Sequence, residues 1–183
     1  MTEKNTKSSR IVNVFGDIED EMATEFIDEM LELSFESPSK EITVYINSEG
    51  GSMYSMFAMH DIMRKLTNPI HTIGIGRVMS AAVLLMAAGD KRSITPNTHV
   101  MVHEPSYFGP ENKVGQWERE LDHLKVLKNE MYQLLASYTG QTTEKIELDL
   151  NAQDKYISAK EAVEYGLTDN IIKLYPKAGK PKS

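Results

Sequence analysis

Residues 69–89 read PIHTIGIGRVMSAAVLLMAAG, and the periodicity of this run changes midway. Ile70, Thr72, Ile73 and Ile75 form a short, largely β-branched stretch that predicts a strand, broken at Gly74 and Gly76. From Met79 to Ala88 the sequence becomes a continuous apolar run of helical character. Ser80 stands at the junction. A serine there lies in the first turn of a helix, where unpaired backbone N–H groups and the positive end of the helix dipole favour developing negative charge. Ala81 and Ala82 are small enough to let a substrate backbone approach, which suits a nucleophile. Serine is also among the commonest N-cap residues and an Ala/Leu/Met helix is ordinary core, so this run alone leaves both readings open. A dinucleotide-binding reading of Gly74-Ile75-Gly76 is weaker still, because Met79 stands where that fingerprint has its third glycine.

The same strand-then-helix change recurs upstream. Ile11, Val12, Val14 and Phe15 predict a first strand stopping at Gly16-Asp17. Asp20 and Glu21 then open a helix whose apolar positions, Met22, Phe26, Met30 and Leu33, recur at three- and four-residue steps, with Pro38 just beyond its end. Ile42, Val44 and Ile46 alternate with polar neighbours as a second strand, followed at once by Ser48-Glu49-Gly50-Gly51 and a helix over about 53–66. Two glycines at that point fit a plain tight turn, and they also permit N–H groups to point into open space beside a ligand. Downstream, the run from His99 to His103 ends at Glu104-Pro105, which leaves His103 at the carboxyl end of a strand. In folds built from such units around a parallel sheet, strand ends and helix starts share one edge, and ligands bind there. Gly51, Ser80 and His103 are therefore expected on one edge of one sheet, although they are far apart in sequence.

The remainder frames this unit. Residues 106–115 read as an exposed loop, and a long helix from about Gln116 carries the stripe Trp117, Leu121, Leu124, Leu127, Met131, Leu135 and Tyr138 before Gly140 stops it. That stripe is read as core or subunit interface. His123 falls on the charged face, where exposure is expected. A shorter helix over 143–150 leads to Asp154, which has no local signal of its own, and Ser158-Ala159-Lys160-Glu161 is a capping box opening a helix that ends at Gly166. A last strand is expected over 167–174. The 183 residues, 40% hydrophobic, suffice for a single domain. Residues 1–9 and 177–183 are polar and aperiodic and read as disordered tails.

Composition excludes several classes. There is no cysteine, so neither a disulfide framework nor a thiolate metal site is available, and a reducing, cytoplasmic setting is expected. A net charge of −7 argues against nucleic acid or an anionic membrane as the main partner. The longest apolar run is too short to span a bilayer and is misplaced for a secretory signal. His99 and His103 lie four apart on a strand, outside any HExxH helix, so no metal site is expected.

Five pieces, YINSEGG at 45–51, GRVMSAAVLLMAAG at 76–89, PNTHVMVHEP at 96–105, YTGQTTEKIE at 138–147 and DKYISAKEAVEYGLTDNII at 154–172, stand in one order along nearly the whole chain. Together they resemble the proteolytic subunits of Clp proteases, ClpP, in the ClpP/crotonase superfamily. The resemblance implies an α/β fold of repeated strand-helix units with a protruding helical handle. It implies a serine endopeptidase with Ser80 as nucleophile, His103 as general base, Asp154 orienting the histidine, and the backbone N–H groups of Gly51 and Ala81 as oxyanion hole. It implies stacked heptameric rings, polypeptide substrates, and no cofactor beyond ATP used by a partner AAA+ ATPase. The chain departs from the family pattern in carrying Ala81-Ala82 where methionine and glycine usually follow the serine, and Glu49 where proline usually stands. Only about ten residues precede the first strand, whereas the family has a longer axial segment there. That difference points toward a stand-alone or phage-type maturation protease, and a catalytically silent subunit of a mixed ring is a further alternative.

Overall fold

The computed structural model describes residues 9–105, 114–151 and 153–175, so the two tails and most of the loop expected over 106–115 lie outside the described residues. In chain order the elements are β1 (Ile11–Ile18), α1 (Asp20–Glu36), β2 (Ile42–Gly51), α2 (Met53–Lys65), β3 (Ile70–Met79), α3 (Ala81–Ala87), β4 (Lys91–Ile94) and β5 (His99–Val102). They are followed by α4 (Val114–Thr139), α5 (Thr143–Leu150), β6 (Lys155–Ser158), α6 (Ala159–Tyr165) and β7 (Asn170–Ile171). Strands β1-β2-β3-β4-β7 form one parallel sheet in that order, and β5 pairs with β3 off this path. This is the α/β architecture expected from the sequence.

The amphipathic patterns fold as their periods require. Val12, Val14, Ile42, Val44 and Ile46 point to one face of the sheet and are fully buried under Phe26 and Met30 of α1 and Met56, Met59 and Met63 of α2. Every residue of α3 is buried, so this short helix is the centre of the core rather than a surface element. The starts of α1 and α2 are tied where Ser55 Oγ donates to Asp20 Oδ1 at 2.7 Å.

Four segments differ from the sequence reading, each for a local reason. β1 does not stop at Gly16: that residue takes φ +93°, a bulge shifts the register, and the chain pairs again at Asp17 and Ile18. β2 likewise runs through Gly50 and Gly51, which pair with those two residues instead of forming a separate turn. Gly74 and Gly76 bend β3 without ending it. The first half of β3 pairs with β4, and after the bend Arg77–Met79 pairs with His99–Met101 of β5. Only Asn170 and Ile171 of the expected last strand are paired strand residues; just ahead of them the Asp169 N–H donates to the Arg92 carbonyl at 3.0 Å, and the Arg92 guanidinium donates to the Asp169 carboxylate and to the Tyr138 and Gly166 carbonyls at 2.9 Å.

The capping box at Ser158 and Glu161 is formed, and Gly166 ends α6 at φ +90°. A strand absent from the sequence reading, β6, pairs antiparallel with β5. Along α4, burial rises with residue number: Trp117 and Leu121 are exposed, whereas Leu127, Met131 and Leu135 are buried. The first half of the helix therefore keeps Trp117 and Leu121 exposed. No helix among the described residues is long and apolar enough to cross a membrane.

Candidate active site

Ser80 is the N-cap of α3, where β3 turns abruptly into the core helix. Its backbone sits at φ 53° and ψ −126°, the one positive φ at a non-glycine residue among the described residues. Such a conformation costs on the order of 1–3 kcal/mol and persists only where the surroundings enforce it. They do so here: the Ser80 N–H donates to the Met101 carbonyl at 2.8 Å, tying the turn to β5. The side chain does not cap the helix. It is thus free for another partner, and Ser80 Oγ lies 2.7 Å from Nε2 of His103, the residue just past the end of β5. Both side chains are half-buried.

The strand end carrying His103 is braced from α4. Lys128 Nζ donates to Glu104 Oε1 at 2.7 Å and lies 5.4 Å from the centre of the Tyr132 ring. The Glu104 hydrogen bond is the main cause that raises the Lys128 ammonium pKa above its ordinary value, against desolvation.

Gly50 makes the closest approach from the neighbouring strand. A methyl group at its α-carbon would lie 2.7 Å from Ser80 Cβ, 2.8 Å from the Met79 carbonyl oxygen and 2.9 Å from the Ala81 nitrogen, and its φ is +99°. Only glycine fits there. Gly51, one residue on, is exposed and backs onto β1, where an added methyl would meet the Ile18 carbonyl oxygen at 2.3 Å. Ala81 is the first residue of α3, so its N–H is among those a helix leaves without an intrahelical partner. Between strand ends and helix starts, Gly51, Ser80, Ala81 and His103 therefore share the sheet edge expected for them.

Asp154 is placed by β6. Val102 pairs with Lys155 in the antiparallel ladder, so continuing that register by one step sets Asp154 across from His103. The structure joins Ser80 to His103 and leaves Asp154 exposed, without a hydrogen bond to the histidine. Its neighbour is firmly held: Lys155 Nζ reaches Asp149 Oδ2 at 2.9 Å, as does the Tyr165 hydroxyl. Burial works to raise the Asp149 carboxyl, but hydrogen bonds from Lys145, Lys155 and Tyr165 outweigh it and hold the pKa at about 2.

A groove of about 550 Å³ lies between Gly51–Tyr54 and α4, and its lining includes Gly51, which follows Gly50, and Pro105, two residues after His103. Two of the other histidines are engaged elsewhere. His60 is buried between Tyr138 and Asp61, and His71 is bonded to Ser93 at 2.8 Å.

A hydroxyl bonded to an imidazole at the strained start of a helix, on the carboxyl edge of a parallel sheet, is an arrangement that can activate the hydroxyl as a nucleophile. Comparison with known proteins narrows the class. The chain matches the family model described as Clp protease over residues 3–174, and it belongs to that family, with its ClpP/crotonase-type α/β fold. It is 35% identical over 165 residues, 89% of this chain and 78% of the relative, to the ATP-dependent Clp protease proteolytic subunit 1 of Corynebacterium diphtheriae. Similarity to the protein of the same name from Corynebacterium glutamicum is 34% over 165 residues, 89% of this chain and 79% of that one. The chain is thus a peptidase-family protein related to Clp proteolytic subunits.

Three features of the site are absent from the sequence reading. The contact of Gly50 with Ser80 has a weak signal in the tandem glycines, which do not say which of the two faces the serine. β6 is four residues long and merges with the capping box, so the position of Asp154 opposite His103 has no local sign. His123 is exposed as expected, yet it is bonded to Tyr54 from a different helix.

Proposed function

We propose that this chain is a serine endopeptidase that cuts unfolded or short polypeptides through an acyl-enzyme, as the proteolytic component of a Clp-type protease. The observation that carries the reading is the 2.7 Å contact between Ser80 Oγ and His103 Nε2 at the positive-φ start of α3. Ser80 Oγ attacks the peptide carbonyl while its proton passes to His103 Nε2. Negative charge on the carbonyl oxygen is taken up by the N–H groups of Ala81 and Gly51, each such donor contributing roughly 3 kcal/mol to the transition state. His103 then protonates the leaving amine, and a water activated by the same imidazole hydrolyses the ester. Asp154, from the next ladder position, fixes the imidazole tautomer and stabilises its charged form. No metal or cofactor has a part in this chemistry.

Family membership and the exposed Trp117, Leu121 and Val126 on the first half of α4 support self-assembly into stacked heptameric rings. A partner AAA+ ATPase that feeds polypeptide to the chamber, and a cytoplasmic setting, complete the proposal. A second reading, a silent subunit within a mixed ring, is favoured by one observation: Asp154 makes no hydrogen bond to His103.

Fluorophosphonate labelling followed by intact mass separates the two readings. An active protease acquires one adduct that maps to Ser80. A folded oligomer that stays unlabelled belongs to the silent-subunit reading.

The close fit at Gly50 supplies a further expectation. Gly50→Ala forces a methyl group against Ser80 and the Ala81 nitrogen, so it costs about 1–3 kcal/mol of stability. Peptide hydrolysis should fall about a hundredfold, because the donor at Ala81 is displaced from where the oxyanion forms. Denaturant titration and initial rates on one preparation check both numbers, and an unchanged rate refutes the placement of Gly50.

A further inference from the structure

The groove whose lining includes Gly51 and Pro105 has walls on two elements. The first turn of α2 supplies one wall, with Met53 and Tyr54, and α4 supplies the other, with His123, Leu124 and Leu127. Tyr54 and His123, 69 residues apart, are joined across the groove by a 2.6 Å contact between the tyrosine hydroxyl and Nε2, with their rings stacked at 6.1 Å and 16°. Tyr54 is 60% exposed and His123 is exposed, so the bridge contributes little to the core. Its geometric consequence lies in the groove. Tyr54 follows Gly51 by three residues, and α4 also braces the strand end of His103 through Lys128 and Glu104. The two walls so joined are thus continuous with the two loops that hold the reacting groups.

We propose that the Tyr54–His123 bridge is a specificity determinant: it fixes the separation of α2 and α4, and so the width of substrate side chain admitted beside the scissile bond. This rests on the protease reading above. Met53, Leu124 and Leu127 give the groove an aliphatic stretch, with Arg119 and Glu120 also on its lining; that stretch suits an aliphatic side chain such as leucine, and a wider side chain is admitted when the walls part. A pocket of this kind discriminates by how well its walls fit, typically about 10- to 200-fold for a small change in side-chain size. Without the bridge the walls lose the hydrogen bond that joins Tyr54 to His123, and they can part.

The test uses the full chain and two peptides that differ only in leucine or tryptophan on the amino-terminal side of the cleaved bond. In Tyr54→Phe, which keeps the ring and loses the hydrogen bond, the tryptophan-to-leucine ratio of kcat/KM rises several-fold. In Tyr54→Ala it rises roughly tenfold or more. Fluorophosphonate labelling of Ser80 stays at the parental rate in both. A ratio unchanged within about twofold, with hydrolysis intact, overturns the bridge as a specificity determinant and leaves the protease reading standing. Loss of Ser80 labelling in Tyr54→Phe also overturns it, since the bridge would then hold the catalytic pair rather than the groove. A parent chain that neither labels nor hydrolyses overturns the protease reading, and the bridge proposal with it.

Discussion

Ser80→Ala is expected to lower peptide hydrolysis by about six orders of magnitude, leaving only the residual rate that the oxyanion hole and substrate binding supply, while the chain still folds and assembles. The size of the loss follows from the chemistry, since without Oγ there is no atom to form the acyl-enzyme and His103 has no proton to take. The absence of a folding defect follows from the structure. Ser80 Oγ makes its hydrogen bond to His103 and does not cap α3, while the backbone bond from Ser80 to Met101 survives the substitution. Alanine inherits the φ of 53°, so it relieves no strain. Glycine does. Ser80→Gly is therefore expected to be as inactive as Ser80→Ala and more stable than the parent by about 1 kcal/mol, because the positive φ costs glycine nothing. Paired measurements of hydrolysis and thermal unfolding check this. Retained hydrolysis in Ser80→Ala would sink the nucleophile assignment. A Ser80→Gly variant less stable than the parent would show that the strained turn is held by the serine side chain itself.

The parts of this molecule that were legible in its sequence are those whose signal is local. α1 and α2 announce themselves through apolar residues at helical spacing, and the structure buries those same residues, Phe26 and Met30 among them. Ser80 and His103 were readable because each stands where one element stops, and the rule that strand ends share an edge brings them together without any contact being visible. The glycines were harder. In the sequence, Gly16, Gly50, Gly51, Gly74 and Gly76 all look like breaks, yet in the fold they are bends and bulges within strands that continue. The difference is made by partner strands, whose hydrogen bonds hold the chain extended on both sides of a glycine. β6 and the Tyr54–His123 bridge were not legible at all. Both depend on residues tens of positions apart meeting in a particular register, and neither KYIS nor a histidine on a charged helix face carries that information.

That unreadable register carries the second large effect. Asp154→Asn is expected to lower kcat by about four orders of magnitude, with KM nearly unchanged and stability within about 0.5 kcal/mol of the parent. The carboxylate is exposed and makes no hydrogen bond among the described residues, so replacing it removes no contact seen there that folding depends on. Its expected kinetic weight comes from position: one ladder step beyond the Val102–Lys155 pair, Asp154 stands across from His103, whose Nε2 lies 2.7 Å from the serine hydroxyl and is placed to accept its proton. A carboxylate there sets the tautomer with Nδ1 protonated and Nε2 free to accept. An amide can present its N–H₂ to Nδ1 and stabilise the opposite tautomer, which cannot act as base. For Asp154 to reach Nδ1, its side chain has to turn inward from the solvent, while Lys155, anchored on Asp149, keeps the strand in register. Closure of that contact is expected to accompany assembly or substrate binding, so the Asp154→Asn deficit should be largest in the assembled protein under saturating peptide. A loss of tenfold or less in assembled Asp154→Asn, with fluorophosphonate labelling of Ser80 at the parental rate, would show that His103 works without this carboxylate, and the Ser80–His103 pair would stand as a dyad.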